Sequence, residues 1–99
     1  MELLNNNNST IKPIEFKVNN SIASNGKKVI VLFLNGINSN GKKVKIFSIN
    51  YDVTNFDFIC IKNFVSQVCI KFGNETKNLI LKSNCIKFTD PEMKELKSL

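Results

Sequence analysis

The hexapeptide Ser-Asn-Gly-Lys-Lys-Val occurs twice in this chain, at residues 24–29 and again at residues 39–44. Asn-Gly is a strong short-range signal for a tight β-hairpin turn, because a type I′ turn needs positive φ at both central residues. Each copy runs into a β-rich apolar stretch, residues 29–34 and 44–49. The first half therefore reads as an antiparallel meander in which a lysine pair opens two successive strands. Paired lysines beside turns suit a polyanionic partner. They equally suit solvated strand ends protected from edge pairing.

The strand readings follow from periodicity. Residues 12–19 alternate Ile14, Phe16 and Val18 against Glu15, Lys17 and Asn19, the pattern of a half-buried strand. Residues 28–35 are nearly all apolar, as in a strand buried on both faces or crossing a small barrel. In residues 43–53, Val44 and Ile46 alternate with Lys43 and Lys45. The phase then slips, and Phe47, Ile49, Tyr51 and Val53 share a side. A one-residue slip predicts a β-bulge or sharp bend. Residues 54–61 read as a strand or a compact crossover. Residues 64–72, with Val68, Ile70 and Phe72 alternating, and residues 79–88 read as two more strands. Residues 1–11 read as a disordered, Asn-rich tail. Residues 90–99 read as a short helix with Asp90 as N-cap, Pro91 in the first turn and Met93 and Leu96 as an apolar stripe. So short a helix is marginal alone and must pack on this domain or on a partner.

Ninety-nine residues suffice for one domain with its own core. No apolar run approaches the ~20 residues of a membrane span. Residues 1–4 lack the features of a secretory signal. Cys60, Cys69 and Cys85 are odd in number and lack C-x-x-C spacing, which with no visible signal predicts reduced, mostly buried thiols in an intracellular protein, cytoplasmic or nuclear. With no His to complete a shell they make no conventional zinc site. The absence of His also leaves Asp52 and Asp57 without the usual acid–base partner, so the expectation is a protein that is not an enzyme and needs no cofactor.

The formal net charge is +6, and every basic residue is lysine. Lysine is a point charge suited to phosphate, whereas the bidentate guanine contact is more often made by Arg. This predicts attraction to nucleic acid with little base preference. An AT-rich coding bias toward Lys and Asn yields the same composition, so charge alone does not decide the matter.

Three meandering strands, a short crossover and two more strands match the order of the OB-fold, a five-stranded Greek-key barrel. Residues 62–72, a Gly-Asn turn and residues 79–88 resemble the fourth and fifth strands of OB domains of the replication protein A type. The expected architecture is thus all-β: an OB-like barrel over residues 12–89 with a short C-terminal helix at 90–99. The resemblance implies a single-stranded nucleic-acid-binding protein, with DNA favoured over RNA. It implies a binding face built from Lys43, Lys45, Phe47 and Tyr51, flanked by loops carrying Lys27, Lys28 and Lys77, with Lys71 nearby. The chain departs from that family in lacking Arg and Trp and in showing no helix over residues 53–61. A pleckstrin-homology-like barrel fits less well, since its seven strands crowd about 77 residues.

Each candidate has a structural alternative. Phe47 fits the core after the bulge better than it fits base stacking, and Tyr51, flanked by Asn50 and Asp52, fits either role. The rival function is a protein–protein module: an accessory subunit that joins a larger complex through Met93, Leu96 and Leu99, or through an open sheet edge.

Overall fold

The two copies of the hexapeptide form the same turn. The computed structural model describes residues 11–99, so of the tail expected over residues 1–11 all but the half-buried Ile11 lies outside them. In the first hairpin Gly26 N–H donates to Ala23 O at 2.8 Å and Ala23 N–H to Lys27 O at 2.8 Å. In the second, Gly41 N–H donates to Asn38 O at 2.9 Å and Asn38 N–H to Lys42 O at 2.9 Å. Only the glycines take positive φ, +85° at Gly26 and +79° at Gly41. Asn25 and Asn40 do not, so these are three-residue loops of a type I turn closed by a left-handed glycine, rather than type I′ turns.

The turns connect three antiparallel strands in sequence order: β1 (Pro13–Ile22), β2 (Lys28–Ile37) and β3 (Lys43–Asp52). The expected phase slip in β3 is a bulge. Leu34 pairs with Phe47 and its neighbour Asn35 with Lys45, which leaves Ile46 without a partner. The reading of β2 as buried on both sides also holds. Leu32 and Leu34 point to one side, Val29, Val31 and Phe33 to the other, and all are buried.

The second half corrects the all-β expectation. The sheet remains three-stranded and open, and the rest of the described chain is helical or irregular, so the architecture is α+β and no barrel closes. Residues 64–72 belong to helix α1 (Phe58–Phe72). Asp57 caps it, its carboxylate accepting from Ile59 N–H at 3.0 Å and Cys60 N–H at 3.3 Å. Ile61, Phe64, Val65 and Val68 recur at helical spacing and are all buried. The alternation of Val68, Ile70 and Phe72 is coincidental, for Ile70 is 83% exposed. A 3-10 turn (Asn74–Thr76) leads into α2 (Lys77–Lys82), where a fifth strand was expected. Residues 83–88 are irregular, and the Cys85 thiol donates to Phe16 O at 3.5 Å along the outer side of β1.

The C-terminal helix forms as expected, as α3 (Asp90–Lys97), but Thr89 rather than Asp90 is its N-cap. Thr89 and Glu92 make a capping box: the Thr89 hydroxyl accepts from Glu92 N–H at 3.3 Å, and the Glu92 carboxylate from Thr89 N–H at 2.9 Å. One core unites the halves. Phe16, Leu32 and Leu34 from the sheet meet Ile61, Phe64, Val65 and Val68 from α1, Ile80 from α2 and Leu96 from α3. All three helices thus lie against one face of the sheet.

Candidate nucleic-acid interface

The other face carries no described helix. Register assigns its residues: Glu15, Lys17, Asn19 and Ser21 on β1, the apolar row Val29, Val31 and Phe33 with Asn35 on β2, and Lys45, Ser48, Asn50 and Asp52 on β3. Val29, Val31 and Phe33 are nonetheless buried, Phe33 being only 8% exposed. Lys45 lies over it, with Nζ 4.6 Å from the ring centroid. Such a cation–π contact at an exposed site stabilises by about 0.5–1 kcal/mol.

Glu15, on the edge strand β1, reaches toward both other strands. Its Oε1 accepts from Asn35 Nδ2 at 3.0 Å and faces Lys43 Nζ at 3.1 Å, and its Oε2 faces Lys17 Nζ at 3.6 Å. The hydrogen bond from Asn35, then that from Lys43, holds the Glu15 carboxyl below its usual value. Lys17 and Lys43 therefore meet at the Glu15 carboxylate, while Lys45, opposite Asn35, lies over the neighbouring Phe33 ring.

The expected third-strand site is split by the bulge. Lys43 and Lys45 are on the face that no described helix covers. Phe47 and Tyr51 are on the helical side instead. The Phe47 ring packs at 5.6 Å from Phe64 and 5.9 Å from Phe72. The Tyr51 ring lies 5.9 Å from Phe56, and its hydroxyl accepts from Asn63 Nδ2 at 2.8 Å. Both rings are occupied by the protein's own packing, so stacking cannot use them as they stand. Phe33 is the aromatic on the lysine side, and sequence reasoning passed over it inside a uniformly apolar run. Its pairing with Lys17 across the first hairpin was the available signal.

The other candidate lysines do not join this group. Lys27 and Lys28 belong to the first hairpin, at the opposite end of the sheet from Lys42 and Lys43, as the meander geometry requires. Lys71 is on α1, 6.0 Å from the Phe72 ring. Lys77 is engaged locally, donating to Lys97 O at 2.8 Å and Leu99 O at 2.9 Å, where it satisfies carbonyls at the end of α3.

The proposed partner stripe on α3 is likewise mostly internal. Leu96 is fully buried in the core, Met93 is half-buried, and Leu99 is exposed. Asp52 and Asp57 both serve as caps: the Asp52 carboxylate accepts from Thr54 N–H at 3.0 Å and from its hydroxyl at 2.9 Å. Those bonds hold the Asp52 carboxyl below its ordinary value. Among the described residues, no helix is long and apolar enough to cross a membrane. No protein-family model, curated protein or solved structure matches this chain.

Proposed function

We propose that the protein is a non-enzymatic binder of single-stranded nucleic acid with little base preference, and that it contacts the phosphate backbone through the uncovered sheet face. The observation that carries this reading is that Lys17, Lys43 and Lys45 share a surface that no described helix covers, the first two at Glu15 and the third over Phe33. A net charge of +6 made only of lysine adds sequence-independent attraction. Stacking contributes little, since Phe33 is the aromatic available and Lys45 lies over it.

The test is fluorescence anisotropy of a labelled single strand of about 20 nucleotides at about 50 and 200 mM salt. Wild type should bind with a steep salt dependence. The variant Lys17→Gln, Lys43→Gln, Lys45→Gln, confirmed folded by circular dichroism, should bind more weakly. Its log–log salt slope should flatten by about two units, roughly 0.7 per lost phosphate contact. An unchanged slope, or no wild-type binding at tens of micromolar, overturns the proposal.

One observation favours a second reading, an accessory subunit joined through a sheet edge. Among the described residues β3 is paired on only one side, which leaves its outer backbone groups open to a partner's strand. Lys43, Lys45 and the bulge at Ile46 are devices that discourage such pairing, which ranks this reading below the first.

A further inference from the structure

Glu15 sits between two lysines of the proposed interface. Its two carboxylate oxygens face Lys43 Nζ at 3.1 Å and Lys17 Nζ at 3.6 Å, and Asn35 Nδ2 fixes the group from the central strand at 3.0 Å. β1, β2 and β3 each contribute one of these partners, so the arrangement depends on the folded sheet rather than on neighbours in sequence. We infer that Glu15 is an internal competitor for anionic ligand: a phosphate enters by displacing this carboxylate from Lys43 and Lys17. The inference rests on the phosphate-binding reading and deepens it by naming what regulates the site.

The physical case is one of exchange. An exposed ion pair is worth little, so a polyanion with several phosphates can displace it, whereas a single phosphate has small advantage over a tethered carboxylate. The device therefore favours extended strands over mononucleotides. Asn35 does not leave with the lysines. It continues to hold Glu15 on the surface, where the carboxylate repels a weakly held phosphate.

The experiment compares Glu15→Gln with wild type in the anisotropy assay at low salt. The glutamine keeps an oxygen for Asn35 and removes only the charge. Binding should tighten about two- to fivefold, the scale of an exposed ion pair, and the difference should shrink as salt rises. Two controls separate this from bulk charge. Glu75→Gln, outside the sheet, changes net charge equally and should alter binding much less. In a Lys17→Gln, Lys43→Gln background, Glu15→Gln should lose most of its effect. Salt-sensitive wild-type binding with Glu15→Gln unchanged, or matched by Glu75→Gln, overturns the inference and leaves the binding function standing. Absence of binding by wild type and Glu15→Gln alike overturns both.

Discussion

Lys45 and Phe47 are two residues apart in one strand, yet their side chains leave opposite faces of the sheet. Lys45 lies over Phe33 on the uncovered face, while Phe47 packs against Phe64 and Phe72 of α1. In a regular strand residues i and i+2 share a face. Ile46, without a partner in β2, is the residue that separates them.

Removing Ile46 should therefore be tolerated. Lys45 and Phe47 become neighbours and keep their present faces, and their partners Asn35 and Leu34 are already consecutive. The cost is the partial burial of one Ile side chain, about 1–2 kcal/mol. Deleting Ser48 instead inverts part of a regular strand and should prevent folding. Circular dichroism and urea denaturation of the two deletions check this; equal damage from both would contradict it.

The stripe on α3 can be sorted by denaturation. Leu96→Ala should cost about 2–5 kcal/mol, as a truncation in a closed core does. Met93→Ala and Leu99→Ala should each cost under about 1 kcal/mol, given their partial exposure. A harmless Leu96→Ala would restore the reading of α3 as a docking helix.

The cap assignment predicts an asymmetry. Thr89→Ala should destabilise by about 1 kcal/mol, since it removes the N-cap half of the capping box. Asp90→Ala should cost less, losing only a favourable charge in the first turn. Reversal of that order in urea midpoints would place the cap at Asp90.

Tyr51 is the sole tyrosine and the chain has no tryptophan, so its ionisation can be followed by ultraviolet absorbance without interference. Burial pushes the Tyr51 hydroxyl above its ordinary value, and the hydrogen bond from Asn63 partly offsets this. A group with a raised folded pKa contributes stability below its unfolded pKa and loses it as pH rises through the folded value. Tyr51 should thus ionise later than free tyrosine, and later still in Asn63→Ala. Titration at the ordinary value in native protein would refute the burial.

Acid should act through Glu15 and Asp52, whose carboxyls are both held below their usual values. Such groups contribute stability above the unfolded carboxyl pKa of about 4 and lose it as pH falls through the folded value. The urea midpoint should hold from neutral pH down to about 5 and then fall. The double variant Glu15→Gln, Asp52→Asn should show a shallower fall. A midpoint that declines identically in both proteins would assign acid sensitivity elsewhere.

The sequence by itself determined what depends on short-range chemistry. Asn-Gly at two hairpins, the alternation of β1 and the slip between Ile46 and Phe47 are local signals, and each describes a turn, strand or bulge that forms. The C-terminal helix was legible for the same reason, though the cap moved by one residue because Glu92 pairs with Thr89. The bulge was legible but its consequence was not: which face the helices cover decides whether Phe47 or Lys45 meets solvent. Residues 58–82 were decided only by tertiary structure. Val68, Ile70 and Phe72 fit a period of two, while Ile61, Phe64, Val65 and Val68 fit 3.6, and β-branched residues favour the strand. The helix wins because four of its side chains together cover Phe16, Leu32 and Leu34, at the expense of leaving Ile70 in water. That gain exists only once the sheet is present to be covered, so no window of the sequence taken alone contains it.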